Sequence, residues 1–251
     1  LINFANIDLS SFYLDMAKDR LYISCKDDFR RRSCQTVIYK LVDQLVTGMA
    51  PILPHLAEDV WQNLPYPTSF GSVFEKRWAQ QDSNFRPHQQ EEWNIVRTIR
   101  NDVNKVIDVA RRAKDVGASM ECRILLHSTD PKVQSLVKSM IGEGDAFEKE
   151  TLGSNTVDDL RFILMVSQVE LIDSAEDLQL QCVDYHSIAS PENGALVSVG
   201  VTKAEGNKCE RCWYYSKTVG LDAEYPDLCH RCADVVRVDG YVIEQSKNES
   251  V

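Results

Sequence analysis

The chain is 251 residues long, 43% hydrophobic and 26% charged, with a formal net charge of −10. That length holds one or two domains with cores of their own plus a small appended module; no apolar run is long enough to span a bilayer, so no membrane partner is expected. The charge excludes a uniformly basic nucleic-acid binder, but its distribution matters more than its sum. Residues 141–180 hold ten Asp and Glu against two Lys and Arg, whereas 86–114 hold seven Lys and Arg against four Asp and Glu. The basic stretch suits a phosphate-facing helix and an ordinary solvated face equally well. The N-terminus has neither the charged start nor the apolar core of a signal peptide. Opening on LINFANIDLSSFYLD, inside a folded region, reads as a piece of a longer chain with any targeting segment upstream.

The first helix is predicted to follow Asp8 as N-cap, with Leu9, Phe12, Tyr13, Met16, Ala17 and Leu21 on its apolar face. Next comes DDFRRRS. Arg30, Arg31 and Arg32 oppose the positive N-terminal end of the following helix, so they need Asp27 and Asp28, solvent or an anionic ligand beside them. That second helix is predicted from near Ser33, with Val37, Ile38, Leu41, Val42, Leu45, Val46 and Met49 inward and Gly48 and Pro51 closing it. Pro54 opens a third, with Leu56, Ala57, Val60, Trp61 and Leu64 inward. Residues 65–90 carry neither hydrophobic period and read as a connecting segment. A long helix over 89–114 follows, with Trp93, Val96, Val103, Val106, Ile107 and Ala110 in line and Gly117 as its stop.

Beyond Gly117 the period alternates: Met120, Cys122, Ile124 and Leu126 predict a strand. Helical patterns fill 131–160, and apolar runs at 162–166, 169–172 and 196–201 read as further strands of a small α+β unit. Its acidic stretch is expected to face away from any polyanion. No glycine-rich phosphate loop, Gly-x-Ser-x-Gly elbow or His-Glu-x-x-His occurs. His55 and His230 have no paired acid or nucleophile nearby in sequence, and Tyr13, Trp61 and Trp93 fall on apolar faces, so all five read as structural.

The strongest signal lies near the end. Cys209, Cys212, Cys229 and Cys232 form two Cys-x2-Cys pairs sixteen residues apart. Each pair can wrap as a knuckle on one side of a metal, and a hairpin of this length returns the second pair to complete a tetrahedral zinc site. Two disulfides would need an oxidising compartment, and a rubredoxin-like iron uses the same four thiolates. A segment of about thirty residues cannot bury a core alone, so one structural metal would supply its folding free energy. Cys25, Cys34, Cys122 and Cys182 lack motif spacing and read as buried reduced thiols, which fits an intracellular compartment.

Several stretches together resemble the C-terminal portion of bacterial-type isoleucyl-tRNA synthetases: DLSSFYLDMAKDRLY, RRRSCQTVIY, MAPILPHLAEDVW, RTIRNDVNKVIDVARRAKDVG, SQVEL, KCERCWYYSKTVG and DLCHRC. The resemblance implies a mainly α chain: a helical anticodon-binding bundle over 1–116 with its linker at 65–90, a small α+β unit over 117–202 and a zinc-binding module over 203–251. It implies recognition of the anticodon stem-loop of tRNA(Ile), with no DNA partner, by an enzyme that acts as a monomer and forms Ile-tRNA from isoleucine, ATP and tRNA. The family's two ATP-site signatures and its editing domain are not found here, so no catalysis is expected from this chain alone. Cys209, Cys212, Cys229 and Cys232 carry over as ligands of one structural Zn2+. Lys208, Arg211, Trp213 and Arg231, flanking them, are candidate tRNA contacts, with Arg30, Arg31 and Arg32 a further cationic candidate. Trp213 could instead cover the metal. The run DYHSIASPENGALVSVGVTKAEGNKCERCW looks more like plant organellar members, which implies a chloroplast or mitochondrial matrix, the alternative being a bacterial cytoplasm.

Two other classes compete. Formamidopyrimidine-type DNA glycosylases carry a similar terminal zinc finger, but they use an N-terminal proline and this chain begins Leu1-Ile2. A non-enzymatic, zinc-stapled interaction module would have a protein partner and no affinity for tRNA.

Overall fold

A computed structural model describes residues 1–78, 89–141, 160–182, 184–190 and 192–240. The chain is mainly α with one small mixed sheet and a cysteine-rich C-terminal module, as expected. It opens with a widened helical stretch, Phe4–Leu14, that passes into α1, Asp15–Tyr22. Asp8 is therefore not an N-cap. It lies inside the helix, where its carboxylate accepts from Arg97 Nη2 at 2.6 Å, a cross-helix partner that the local pattern could not reveal.

Helix α2, Phe29–Met49, begins four residues ahead of the expected start. Asp28 is the reason: its carboxylate accepts from the backbone N–H groups of Arg30 and Arg31 at 2.7 and 3.4 Å, satisfying two donors that a helix start leaves open. The three arginines thus sit in the first turn. Gly48 lies within α2 rather than ending it. Helix α3, Pro54–Gln62, buries Ala57 and Trp61 but leaves Leu56 exposed. Trp61, Val46, Ala50, Ala57 and Val73 form a small separate core. The segment beyond α3 is tied down by Glu58, which accepts from Ser72 Oγ at 2.8 Å and Val73 N at 3.0 Å. The rest of the expected linker, 79–88, lies outside the described residues.

Helix α4, Gln90–Arg112, is the structural spine. Val96, Ile99, Val103, Val106, Ile107 and Ala110 are all buried along one face, the stripe that a helix packed on a core requires. Gly117 is not its stop. Lys114 takes the left-handed conformation (φ +67°), while its N–H donates to Arg111 O at 3.0 Å and that of Asp115 to Ala110 O at 3.2 Å. This Schellman pair closes the helix three residues before the glycine. At the other end, the ring of Phe12 meets Trp93 edge-on at 6.3 Å and lies under the guanidinium groups of Arg97 and Arg100, which docks the first helix against α4.

Strand β1, Cys122–His127, is followed by α5, Pro131–Ile141, α6, Leu160–Leu164, β2, Gln168–Leu171, α7, Ala175–Gln181, β3, His186–Ser187, and β4, Ser198–Lys203. The sheet order is β2-β1-β4-β3, parallel between β1 and β2 and antiparallel elsewhere. Strand β1 is covered on both faces. Cys122, Ile124 and Leu126 join α4, α5, α6 and Met16 of α1 in the main cluster, while Leu125 packs on Leu178 and Cys182 behind the sheet. The run at 162–166, expected as a strand, is the helix α6 and its turn. All five residues of α6 are buried, and an apolar run enclosed on every side has no period to distinguish the two structures. Six of the ten acidic residues of 141–180 fall in 142–159, outside the described residues.

Ile107→Ala should cost about 2–5 kcal/mol of stability, since its side chain is fully enclosed. Leu56→Ala should stay within about 0.5 kcal/mol. Denaturant titration of both variants checks the difference; equal losses would contradict the assignment of the core.

Candidate metal centre and nucleic-acid interface

The cysteine module starts with a hairpin. Strands β5, Asn207–Lys208, and β6, Tyr215–Ser216, pair antiparallel. Gly206 makes the approach possible: at φ +89° a Cβ there would stand 2.3 Å from the Ser216 carbonyl carbon. Between the strands Cys209 N donates to Tyr214 O and Trp213 N to Cys209 O, both at 2.9 Å, which wraps the first knuckle. Helix α8, His230–Asp239, starts at Cys229 as N-cap and ends at the left-handed Gly240. It presents Cys229 and Cys232 in its first turn, where the helix dipole favours thiolate.

One ligand atom from each of Cys209, Cys212, Cys229 and Cys232 lies within 4.8 Å of all the others, and all four residues are buried. The Cys212 and Cys229 sulfurs are 3.7 Å apart, close to the edge of about 3.8 Å that a tetrahedron with ~2.3 Å metal–sulfur bonds has. Among themselves these thiols divide into donors and acceptors. Hydrogen bonds from Cys212, Cys229 and Cys232 push the Cys209 pKa down, while bonding to Cys209 pushes Cys232 up. A dication fits this donor set because it removes the contest for protons by holding all four as thiolates. His230 is exposed, and its backbone N–H donates to Thr218 Oγ1 at 3.1 Å, so the centre is built from sulfur. Phe162 of α6, Tyr214, Leu228 and Val236 close over it.

The cationic residues separate sharply. Lys208 is exposed, its Nζ 5.8 Å from the Trp213 ring centroid. Trp213 is 59% exposed and left-handed at φ +68°; its ring points to solvent, and the cover over the cysteines comes from other side chains. Arg231 is the opposite case. It is 6% exposed, donates through Nη1 and Nη2 to the two carboxylate oxygens of Asp19 at 2.8 Å each, and lies 4.9 Å from the Phe162 ring. The expected RNA contact through Arg231 is corrected accordingly: the first turn of α8 aims it at α1, and its fork is spent on a buried carboxylate. Arg211 is half-buried. Its Nη1 reaches Ile23 O at 2.8 Å and Cys232 Sγ at 3.7 Å, and its Nη2 reaches Tyr22 O at 3.5 Å. In the first turn of α2, Arg30 lies 3.9 Å from the Asp28 carboxylate, Arg31 donates to Ser24 O, and Arg32 is exposed, donating to Gln35 Oε1.

Sequence reasoning missed Asp19, Phe162 and the helix α8. Asp19 stood on what reads as a polar helix face, and nothing local separates it from Asp15 or Lys18. Burial alone would raise the Asp19 pKa, but the guanidinium of Arg231, with help from Arg30 and Arg161, outweighs that and holds it below the usual carboxylate value.

The chain belongs to the anticodon-binding domain family of tRNA ligases, whose profile matches residues 1–126. A second profile, described as a zinc finger found in FPG and IleRS, matches residues 206–235. Proteins named isoleucine–tRNA ligase are similar over nearly all of the chain. Those of Rippkaea orientalis and Nostoc sp. are each 45% identical over 92% of it, and that of Synechococcus sp. is 44% identical over 94%. The chain spans 23%, 22% and 23% of these three relatives' own lengths, respectively.

Asp19→Ala should lower stability by about 3–5 kcal/mol, because it strands a buried guanidinium. Since the folded-state pKa of Asp19 is depressed, the pair's contribution is fully present above the ordinary value of 3.8 and is lost as pH falls below it. Urea midpoints measured from pH 7 to pH 2.5 check this: the gap between wild type and variant should be constant down to about pH 4 and then close. A gap that closes near neutrality would contradict it.

Proposed function

We propose that this chain is the tRNA-recognising end of an isoleucine–tRNA ligase, which forms Ile-tRNA from isoleucine, ATP and tRNA(Ile), the ATP-dependent chemistry residing in parts of the ligase outside these residues. The observation that carries the reading is Trp213. A left-handed backbone costs a bulky residue about 1–2 kcal/mol, and glycine would occupy the position without that strain. Here the strained residue is a large aromatic held out in solvent beside Lys208. An exposed ring with a cation over one face is suited to stack an unpaired loop base on the other while the ammonium meets a phosphate. Arg32, exposed at the start of α2, adds a second phosphate contact; Arg30 and Arg31 act mainly by shaping that turn. The glycosylase reading rests only on the shared zinc finger.

The metal in this reading is one structural zinc held by Cys209, Cys212, Cys229 and Cys232. Bound there, it supplies folding free energy and no chemistry; the protein's own residues do the recognising. The cyanobacterial relatives support a plastid-type origin and with it an organellar site of action. A full-length fluorescent fusion confined to the cytosol of a plant cell would refute that part.

Elemental analysis should find one zinc per chain, and its removal by a chelator should abolish amide protection in α8. Retention of that protection without metal would refute the structural role. For the RNA, affinity should fall as salt rises and favour tRNA(Ile) over an unrelated tRNA. Trp213→Gly should weaken binding by about 1–3 kcal/mol yet raise thermal stability by roughly 1 kcal/mol through relief of strain. Unchanged affinity with lowered stability would make Trp213 a packing residue instead.

A further inference from the structure

Polar contacts from the cysteine module to the first helices converge, among the described residues, on one short stretch, residues 19–26. Arg231 holds Asp19, Arg211 holds the carbonyls of Tyr22 and Ile23, and Asp239 accepts from the backbone N–H of Lys26 at 3.0 Å. This stretch is the last turn of α1 and the start of the elbow that leads to α2. The cap Asp28 follows two residues later, and Arg30, Arg31 and Arg32 come after Phe29. Of these links, Arg211 alone also touches a cysteine of the metal centre, through its 3.7 Å contact with Cys232 Sγ.

We propose that Arg211 is a positioning residue that couples metal occupancy to the α1–α2 elbow. Its Nη1 faces both the Cys232 sulfur and the Ile23 carbonyl while its Nη2 faces the Tyr22 carbonyl, and a planar fork of five donors is suited to all three at once. Four thiolates around a dication keep net negative charge, so a metal-loaded centre draws the guanidinium toward Cys232 with a charge-assisted hydrogen bond. Held there, the same group pins the free carbonyls that end α1. Loading the metal therefore fixes the elbow and, through it, the direction in which the arginines at the head of α2 leave the surface. A lysine would lose part of this, because its one nitrogen would have to meet the sulfur and both carbonyls, which Arg211 meets from two. The inference rests on the four-thiolate reading of the cysteines and not on the identity of the RNA.

The test is hydrogen exchange on the full 251-residue chain loaded with zinc, with metal content measured independently. In Arg211→Gln carrying one zinc, amides of residues 23–26 should exchange about tenfold faster than in wild type, the order of effect that losing a charged hydrogen bond gives. Amides of α4 should be unchanged. In the same variant, N-ethylmaleimide should add first to Cys232, located by peptide mass mapping, since that sulfur loses its shielding donor. If Arg211→Gln does not hold zinc, Arg211→Lys carries the comparison, because it keeps the charge and loses the second nitrogen that faces Tyr22. A zinc-loaded variant whose elbow exchanges like wild type overturns the coupling. Wild type that takes up no zinc overturns the metal reading instead, so the two failures are distinguishable.

Discussion

The constraint on which the rest of the structure depends is that the cysteine-bearing segment is too short to enclose a core of its own. It closes by three means at once: sulfurs gathered at one point, an aromatic borrowed from α6, and a buried ion pair to α1. Phe162 supplies the borrowed surface, meeting Tyr214 edge-on with ring centroids 5.6 Å apart and lying against the Arg231 guanidinium. The module is thus not an independent bead at the end of the chain. Its interior is continuous with helices that belong, in sequence, to the beginning.

That arrangement explains why cations of similar sequence context end up with opposite roles. Arg231 and Lys208 both neighbour a cysteine, yet one is enclosed with a carboxylate and the other stands in solvent beside Trp213. An enclosed guanidinium needs a counter-charge to be tolerated, and Asp19 meets it with two parallel bonds. Lys208 needs no partner because water solvates it. A net charge of −10 does not by itself exclude a polyanion-binding face, because the field at one patch is set by the charges that face outward there and not by the sum over the chain.

Much of the frame was legible. The stripe of α4 was read nearly residue for residue because a long amphipathic helix repeats its signal many times. The alternation at β1 was also clear, although Leu125, between two of its inward residues, is buried too. The misreadings have two causes. Asp8 looked like a cap and is a cross-helix partner, and residues 162–166 looked like a strand and are mostly helix; there the deciding contact comes from residues far along the chain or from burial on all sides, which local periodicity does not encode. The cap at Asp28 is local, made to the N–H groups of Arg30 and Arg31, and was passed over because the apolar period starts only beyond the arginines.

By itself the sequence determined the four cysteines that the fold gathers at one point, since paired Cys-x2-Cys knuckles impose their spacing directly on the chain. It also determined the helical character of the first half, because burial of one helix face imposes a period. Only the tertiary structure decided which residues around the cysteines face outward. Whether an arginine meets solvent or a carboxylate depends on where Asp19 lies, more than two hundred residues earlier, and no spacing rule reaches across that distance. The outward posture of Trp213 was decided there as well, by a backbone conformation that the knuckle enforces and that side-chain identity would have argued against.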